Sequence, residues 1–123
     1  MGAKLTTEPV ITVSASPVEG CECGEPTQIT LGAKSAERLA LRFKALGHPV
    51  RLQILSILHH AAGEVCVCEV EAHFSLSQPT ISHHLKTLRD TGLVISTQRG
   101  LWVYHHINPE CIQELSAYLN GID

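Results

Sequence analysis

Five cysteines are the residues of this chain whose type and spacing could do chemistry. Four of them form two pairs with one residue between, Cys21 with Cys23 and Cys66 with Cys68, and Cys111 stands apart. Thiolates are soft ligands that select thiophilic ions over hard ones. Residues at this spacing share a side in an extended segment, but in a regular helix they lie about 200° apart. We therefore predict that Cys66 and Cys68 bind one ion together. The alternative is that they are ordinary buried residues, as free cysteines often are.

The composition excludes several classes of protein. The 123 residues suffice for one small domain, and an apolar fraction of 44% can fill its core. No apolar run reaches the roughly 18 residues that a membrane span needs, and the N-terminus lacks a signal-peptide pattern. Free thiols without an export signal are typical of the reducing cytosol, so we expect a cytoplasmic protein. No C-x-x-C motif, phosphate-cradling loop or Ser/His/Asp constellation occurs, so we expect neither an enzyme nor an organic cofactor.

The net charge of −3 hides an uneven distribution of charge. Residues 34–55 carry five Lys or Arg against one Glu, a balance of +4, and residues 77–107 carry three against one Asp, a balance of +2. DNA affinity depends on local positive charge and counterion release, not on the average. These two segments are therefore candidates for contact with DNA.

The apolar pattern predicts a helical domain with a β-hairpin. Residues 1–33 mix Pro, Gly, Ser and Glu without a period, so we predict a flexible arm there and a folded domain over 34–123. Apolar residues at three- and four-residue spacing predict two helices before Gly63, and a third helix is expected over 65–74. Ser77 as N-cap predicts the start of a fourth helix, which Gly92 ends. Two β-rich runs over 93–97 and 101–107 predict a hairpin, and a last helix follows.

This order of elements predicts a mainly α fold with a β-hairpin wing, an α+β winged helix-turn-helix. The first and last helices have apolar stripes that one small core cannot cover. We therefore expect a homodimer that would match a two-fold symmetric operator in double-stranded DNA.

The fourth helix has the polar face expected of a helix that reads the major groove. Short or planar hydrogen-bonding groups near its start can contact base edges, and the cations farther along can contact phosphates. The hairpin tip could reach a phosphate or the minor groove. The alternative is a face that is simply solvated. The predicted DNA-binding residues are Gln78, Thr80, Ser82, His83, Lys86, Arg89 and Arg99, and we expect His84 to pack or cap instead.

Three stretches of the chain resemble the ArsR/SmtB family of metal-sensing transcriptional repressors. They are Ala45-Leu46-Gly47-His48-Pro49-Val50-Arg51-Leu52-Gln53-Ile54-Leu55, then Glu64-Val65-Cys66-Val67-Cys68-Glu69-Val70, then residues 76–88 with the hairpin after them. The resemblance covers roughly residues 35–119. It implies a winged-helix dimer that occupies its operator when it is free of the effector ion and leaves DNA when the ion binds.

The resemblance also implies which residues complete the ion site. Arsenic-sensing relatives have a third cysteine three residues beyond the C-x-C pair, and Glu71 stands there in this chain. Cadmium- and lead-sensing relatives complete the site with the N-terminal arm of the opposite subunit, so Cys21 and Cys23 are the expected further ligands. Three thiolates would suit As(III), Sb(III) or Pb(II), and four would suit Cd(II). The zinc site of other relatives is not expected, because Pro109 and Cys111 stand where its Asp and His would be.

Two interpretations of the thiols remain open at this point. In the first, ion binding draws Cys66 and Cys68 to one side, deforms the start of the third helix and so disturbs the DNA-reading helix. In the second, the dithiols sense oxidants or persulfides in a repressor of the same fold. For Cys21 and Cys23 the alternative is an incidental pair in the arm, and Cys111 is more simply interpreted as a core residue.

Overall fold

The computed structural model describes residues 30–61 and 63–122 of the chain. By its internal contacts the chain divides after Ala40. The described residues of the first unit include the N-terminal part of helix α1 (Ala33–Leu46). The second unit contains the rest of α1 and all later elements. Most of the predicted arm, with Cys21 and Cys23, lies outside the described residues, so the domain boundary at 33/34 stays a prediction.

The elements of the second unit form the predicted winged helix-turn-helix, with one addition. After α1 come α2 (Pro49–His60), β1 (Val65–Cys66), α3 (Val67–Glu71), α4 (Gln78–Asp90), β2 (Val94–Arg99), β3 (Trp102–Ile107) and α5 (Pro109–Ile122). The sheet has the order β1-β3-β2 and is antiparallel throughout. The wing is therefore a three-stranded sheet and not the two-stranded hairpin that the sequence pattern predicts.

The prediction of one helix over 65–74 is wrong. Val65 and Cys66 pair with His105 and Tyr104 of β3, and only the five residues after them are helical. Val65 is β-branched and 2% exposed, so it suits a strand that is covered on one side.

The boundaries of α4 confirm the prediction from local capping signals. The Ser77 hydroxyl accepts a hydrogen bond from the Thr80 N–H at 3.4 Å, and a proline stands in the first turn. The helix stops before Gly92, whose φ of +85° suits glycine at the end of a helix. The turn between β2 and β3 likewise places Gly100 at a φ of +63°.

The core lies where α2, α3, α4 and β2 meet. The apolar residues Ile81, Leu85 and Leu88 of α4 are all buried there. Two leucines remain largely uncovered: Leu52 on α2 is 53% exposed and Leu119 on α5 is 54% exposed. The largest fully buried side chains are Ile54, Ile81, Leu88, Leu93, Val70 and Val94.

Candidate thiol site and DNA interface

The predicted DNA-reading residues of α4 share an exposed surface of the helix. Gln78, Thr80, Ser82, His83, Lys86 and Arg89 are all exposed, while Ile81, His84, Leu85 and Leu88 are buried on the opposite side. This division follows the helical period, which places residues three and four apart on one side. The polar side of α4 is therefore free to meet a DNA groove.

A cleft of about 260 Å³ separates α4 from the wing. Gln78, Ser82 and Arg89 line it from α4, and Val103 and His105 line it from β3. Predicted base-reading and phosphate-binding groups thus face the same groove, which begins at the N-terminal end of the helix.

Two of the predicted phosphate-binding cations already have carboxylate partners. Lys86 Nζ lies 2.6 Å from Asp90 Oδ2 one turn along α4, and the pair is exposed. Arg99 Nη2 lies 2.7 Å from Glu64 Oε1. Exposed ion pairs are weak, so a DNA phosphate can compete for both cations.

The buried His84 anchors α4 to α2 and to the end of α1. Its Nδ1 lies 3.2 Å from Arg51 Nη1, and Arg51 Nε donates to the Ala45 carbonyl at 2.5 Å. The His48 ring, which caps α2, stands 4.4 Å from the His84 ring between centroids. His84 thus packs in the core, as the sequence predicts, and Arg51 was not singled out from the sequence.

The pKa of His84 lies below its ordinary value because burial disfavours the imidazolium, and the nearby His48, Arg51 and His83 add to this effect. The neutral ring is the form that can accept a hydrogen bond from the guanidinium of Arg51.

The thiols of Cys66 and Cys68 lie side by side. Their sulfurs are 2.6 Å apart, and both thiols are free. Cys66 is the last residue of β1 and has extended backbone angles, with φ −75° and ψ 149°, whereas Cys68 is in the first turn of α3. Because a strand changes to a helix between them, both side chains reach the same side despite the spacing. The expectation that an ion must pull them together by deforming a helix is therefore wrong.

Cys66 also caps α3. Its sulfur accepts a hydrogen bond from the Cys68 N–H at 3.4 Å, and Glu69 Oε1 accepts one from the Cys66 N–H at 3.1 Å. This reciprocal arrangement is a capping box in which a thiol replaces the usual hydroxyl. Any group that binds the Cys66 sulfur would therefore act at the start of α3.

The two thiols differ in exposure. Cys66 is 6% exposed, whereas Cys68 faces solvent. The hydrogen bond with Cys66 raises the pKa of the Cys68 thiol, and desolvation adds to the effect. Since metal ions bind thiolates, an ion bound by both sulfurs would displace the thiol protons, including the one in this hydrogen bond.

Within residues 30–61 and 63–122, no group of three or more His, Cys, Asp or Glu residues is placed to hold a metal ion. Cys66 and Cys68 thus supply two sulfurs, and Cys21 and Cys23, predicted as the other ligands, lie outside the described residues. Cys111 is 3% exposed on α5, which agrees with its interpretation as a core residue.

No helix in the part of the chain that the structure describes is long and apolar enough to cross a membrane.

Several known proteins that resemble this chain are transcriptional regulators. The family model described as a bacterial regulatory protein of the arsR family matches residues 48–96. An arsenical resistance operon repressor of Staphylococcus xylosus is 37% identical over 89 residues, which cover 72% of this chain and 84% of that repressor. An arsenic resistance transcriptional regulator of Pseudomonas putida is 40% identical over 80 residues, which cover 65% of this chain and 62% of that regulator.

A solved structure shares both the fold and part of the sequence. The homodimeric winged helix-turn-helix DNA-binding domain of a possible ArsR-family regulator from Mycobacterium bovis is 30% identical, with a TM-score of 0.61, over 73% of this chain and 82% of that domain. These similarities point to the same class of protein as two features of the structure, the exposed polar side of α4 and the wing. This chain belongs to the arsR family of bacterial regulatory proteins, which are DNA-binding transcriptional regulators and not enzymes.

Proposed function

We propose that this protein is a repressor that leaves its operator when a thiophilic metalloid or metal ion binds Cys66 and Cys68. The observation that carries the proposal is the 2.6 Å separation of the two sulfurs, which places two soft ligands at one point of the surface. As(III) is the preferred effector, because the Staphylococcus xylosus relative is an arsenical resistance operon repressor. Sb(III), Cd(II) and Pb(II) are the other candidates.

The remaining ligands come from the N-terminal arm. A thiophilic ion needs three or four ligands, and the described residues supply two thiols at this point. Cys21 and Cys23 are the other paired thiols of the chain. We infer that they complete the site, from either the same subunit or its partner.

Ion binding reaches the DNA-reading surface through the junction of β1 and α3. An ion bound to the Cys66 sulfur would compete for the electron pairs that accept the Cys68 N–H at 3.4 Å, so ion binding would act on the cap of α3. Cys66 is paired with Tyr104 of the wing and caps α3, which packs against α4. A displacement of Cys66 therefore disturbs both DNA-binding elements.

The DNA-bound form is a homodimer in this proposal. Tyr118, Leu119 and Ile122 on α5 are exposed by 38%, 54% and 63%. An apolar surface of this kind is buried most simply against a second copy, and the Mycobacterium bovis relative is homodimeric.

An operator-release titration tests the proposed effector and its ligands. Fluorescence anisotropy of a labelled operator duplex would be followed while As(III), Sb(III), Cd(II), Pb(II) or Zn(II) is added under reducing conditions. We expect As(III) to release the wild type, and Cys66→Ser and Cys68→Ser to bind DNA normally but not respond. Cys111→Ala is the matched control, since it removes a buried thiol far from the pair in sequence. A normal response of both serine variants would refute the assignment of the ligands.

A redox function of the same thiols is the second candidate, favoured by the closeness of the sulfurs. Two-electron oxidation by a peroxide or persulfide would join Cys66 to Cys68 as a disulfide, and the two protons and two electrons would pass to the oxidant. The raised pKa of Cys68 opposes this reaction, because the thiolate is the reactive form. Operator release by hydrogen peroxide without any ion, reversed by dithiothreitol, would favour this function instead.

A further inference from the structure

The Glu64 carboxylate joins the thiol-bearing segment to the tip of the wing. Its Oε1 lies 2.7 Å from Arg99 Nη2, and its Oε2 lies 3.7 Å from His106 Nδ1. The Glu64 side chain is 24% exposed, whereas that of Arg99 is 64% exposed. Glu64 is therefore the more fixed partner, and Arg99 remains open to solvent and to DNA.

Arg99 carries all the Lys or Arg charge of the wing. Between residues 91 and 122 the sequence has no other Lys or Arg. Whatever attraction the wing has for DNA phosphates therefore depends on this side chain. A carboxylate in contact with it reduces that attraction.

Both residues that Arg99 contacts, Glu64 and Tyr104, are close to Cys66 in the sequence or in the sheet. Glu64 stands two residues before Cys66, and the Arg99 guanidinium lies 5.8 Å from the centre of the Tyr104 ring. Tyr104 is the residue directly opposite Cys66 in the sheet. Directly opposite residues share a face of an antiparallel pair, so Arg99 rests on a surface whose position depends on β1.

We propose that Glu64 is a positioning residue for the wing: it restrains Arg99 in the DNA-free protein and links its availability to the position of the thiol-bearing strand. The first part requires only DNA binding. The second part rests on the proposed ion-induced release, since movement of β1 on ion binding would change the Glu64–Arg99 contact.

A double-mutant cycle on operator affinity tests the restraint. Glu64→Gln removes the charge at nearly constant shape and frees Arg99, so we expect operator binding to tighten by about two- to fivefold, the range of an exposed ion pair. The slope of log affinity against log salt should steepen by up to about 0.9, the effect of one phosphate contact. In an Arg99→Gln background, Glu64→Gln should no longer tighten binding.

Two further variants test whether the effect of Glu64→Gln on operator affinity is specific to its contact with Arg99. Glu71→Gln also removes one negative charge near the thiols, and among the described ion pairs none involves Glu71, so it measures the general effect of charge. Glu64→Asp keeps the charge but shortens its reach, and it should fall between wild type and Glu64→Gln. The proposal is overturned if Glu64→Gln does not tighten binding, or if it tightens binding equally without Arg99 or no more than Glu71→Gln does.

The link to the thiols is measured as the ratio of operator affinities without and with arsenite. We expect this ratio to be smaller in Glu64→Gln than in wild type, and an unchanged ratio would overturn the second part. If arsenite fails to release even the wild type, the proposed effector is wrong, while the affinity cycle still decides the restraint of Arg99.

Discussion

Arg51 Nη1 lies 3.2 Å from Nδ1 of the buried His84, while Arg51 Nε donates to the Ala45 carbonyl at 2.5 Å. One side chain of α2 therefore holds both the C-terminal turn of α1 and the inner side of the DNA-reading helix. The contact requires an unprotonated Nδ1 on His84, because a guanidinium can only donate. The orientation of α4 thus depends on a neutral imidazole.

Stability should fall as the pH is lowered through the range in which histidines titrate. Burial lowers the pKa of His84 below its ordinary 6.5. The pKa of His105 is also lowered, mainly by burial and in addition by the charge of Arg89. The His105 ring contacts the Ser96 hydroxyl at 2.7 Å. Below pH 6.5 the unfolded chain therefore binds more protons than the folded chain, so the free energy of unfolding decreases until the folded pKa is passed. Urea denaturation at pH 8, 7, 6 and 5 measures this loss.

The histidine variants separate the two contributions. His84→Gln and His105→Gln should each flatten the pH dependence, whatever their effect on stability at pH 8. His59→Gln removes an exposed imidazole from α2 and serves as the comparison for replacing a histidine as such. An unaltered slope in both buried variants would contradict the prediction.

The outer surface of α5 should control the oligomeric state. Leu119→Asp places a charge where we expect the partner subunit, and burying an unpaired charge is costly. We expect this variant to be monomeric in sedimentation equilibrium and to lose most of its operator affinity, because a dimer contacts two half-sites. Leu101→Asp makes the same change at a wing-tip residue that is 94% exposed, and it should remain dimeric. A dimeric Leu119→Asp would place the interface elsewhere.

The two ends of α4 should contribute differently to DNA recognition. Gln78 lies in the first turn and faces the cleft, so Gln78→Ala should cost about 1–3 kcal/mol on the cognate operator and little on a scrambled duplex. Arg89 lies in the last turn, so Arg89→Ala should weaken both duplexes and lower the salt slope by about 1. Titrations at three salt concentrations compare the two variants. A specificity loss in Arg89→Ala and none in Gln78→Ala would reverse the assigned roles.

Features that depend on neighbouring residues could be predicted from the sequence. The start of α4 follows from Ser77, its end from Gly92, and the thiol pair from two cysteines one residue apart. These signals are local, because capping and turn preferences act within a few residues.

Features that depend on distant residues could not be predicted. Val65 and Cys66 become a strand only because β3, about 40 residues later, offers its edge, and β propensity depends strongly on such context. For the same reason the sequence assigned Arg99 to DNA without revealing Glu64 as its partner. The assignment of DNA contacts to α4 and of ion ligands to the cysteines remains a prediction.

Glu71 stands where a third thiolate would complete the ion site. It lies three residues after Cys68, a spacing that places neighbours on one side of a helix, and it ends α3. Glu71→Cys should therefore give the site three sulfurs from one segment, the number that suits As(III). In a Cys21→Ser/Cys23→Ser background we expect it to restore operator release by arsenite. The arsenite needed should fall at least about tenfold, since even an outer partner of a metal ligand is worth about 10–100-fold in affinity.

A displaced thiol serves as the control for this gain of function. His73→Cys adds an exposed cysteine five residues after Cys68, which at 100° per residue lies well away from the side that Cys68 and Glu71 share. It should not restore release in the same background. Equal rescue by both cysteines would mean that any added thiol suffices. If Glu71→Cys does not restore operator release, the two thiols at the β1–α3 junction do not form part of a three-sulfur site. The background lacks Cys21 and Cys23. Rescue by Glu71→Cys but not by His73→Cys would therefore also show that the arm normally supplies the missing ligand.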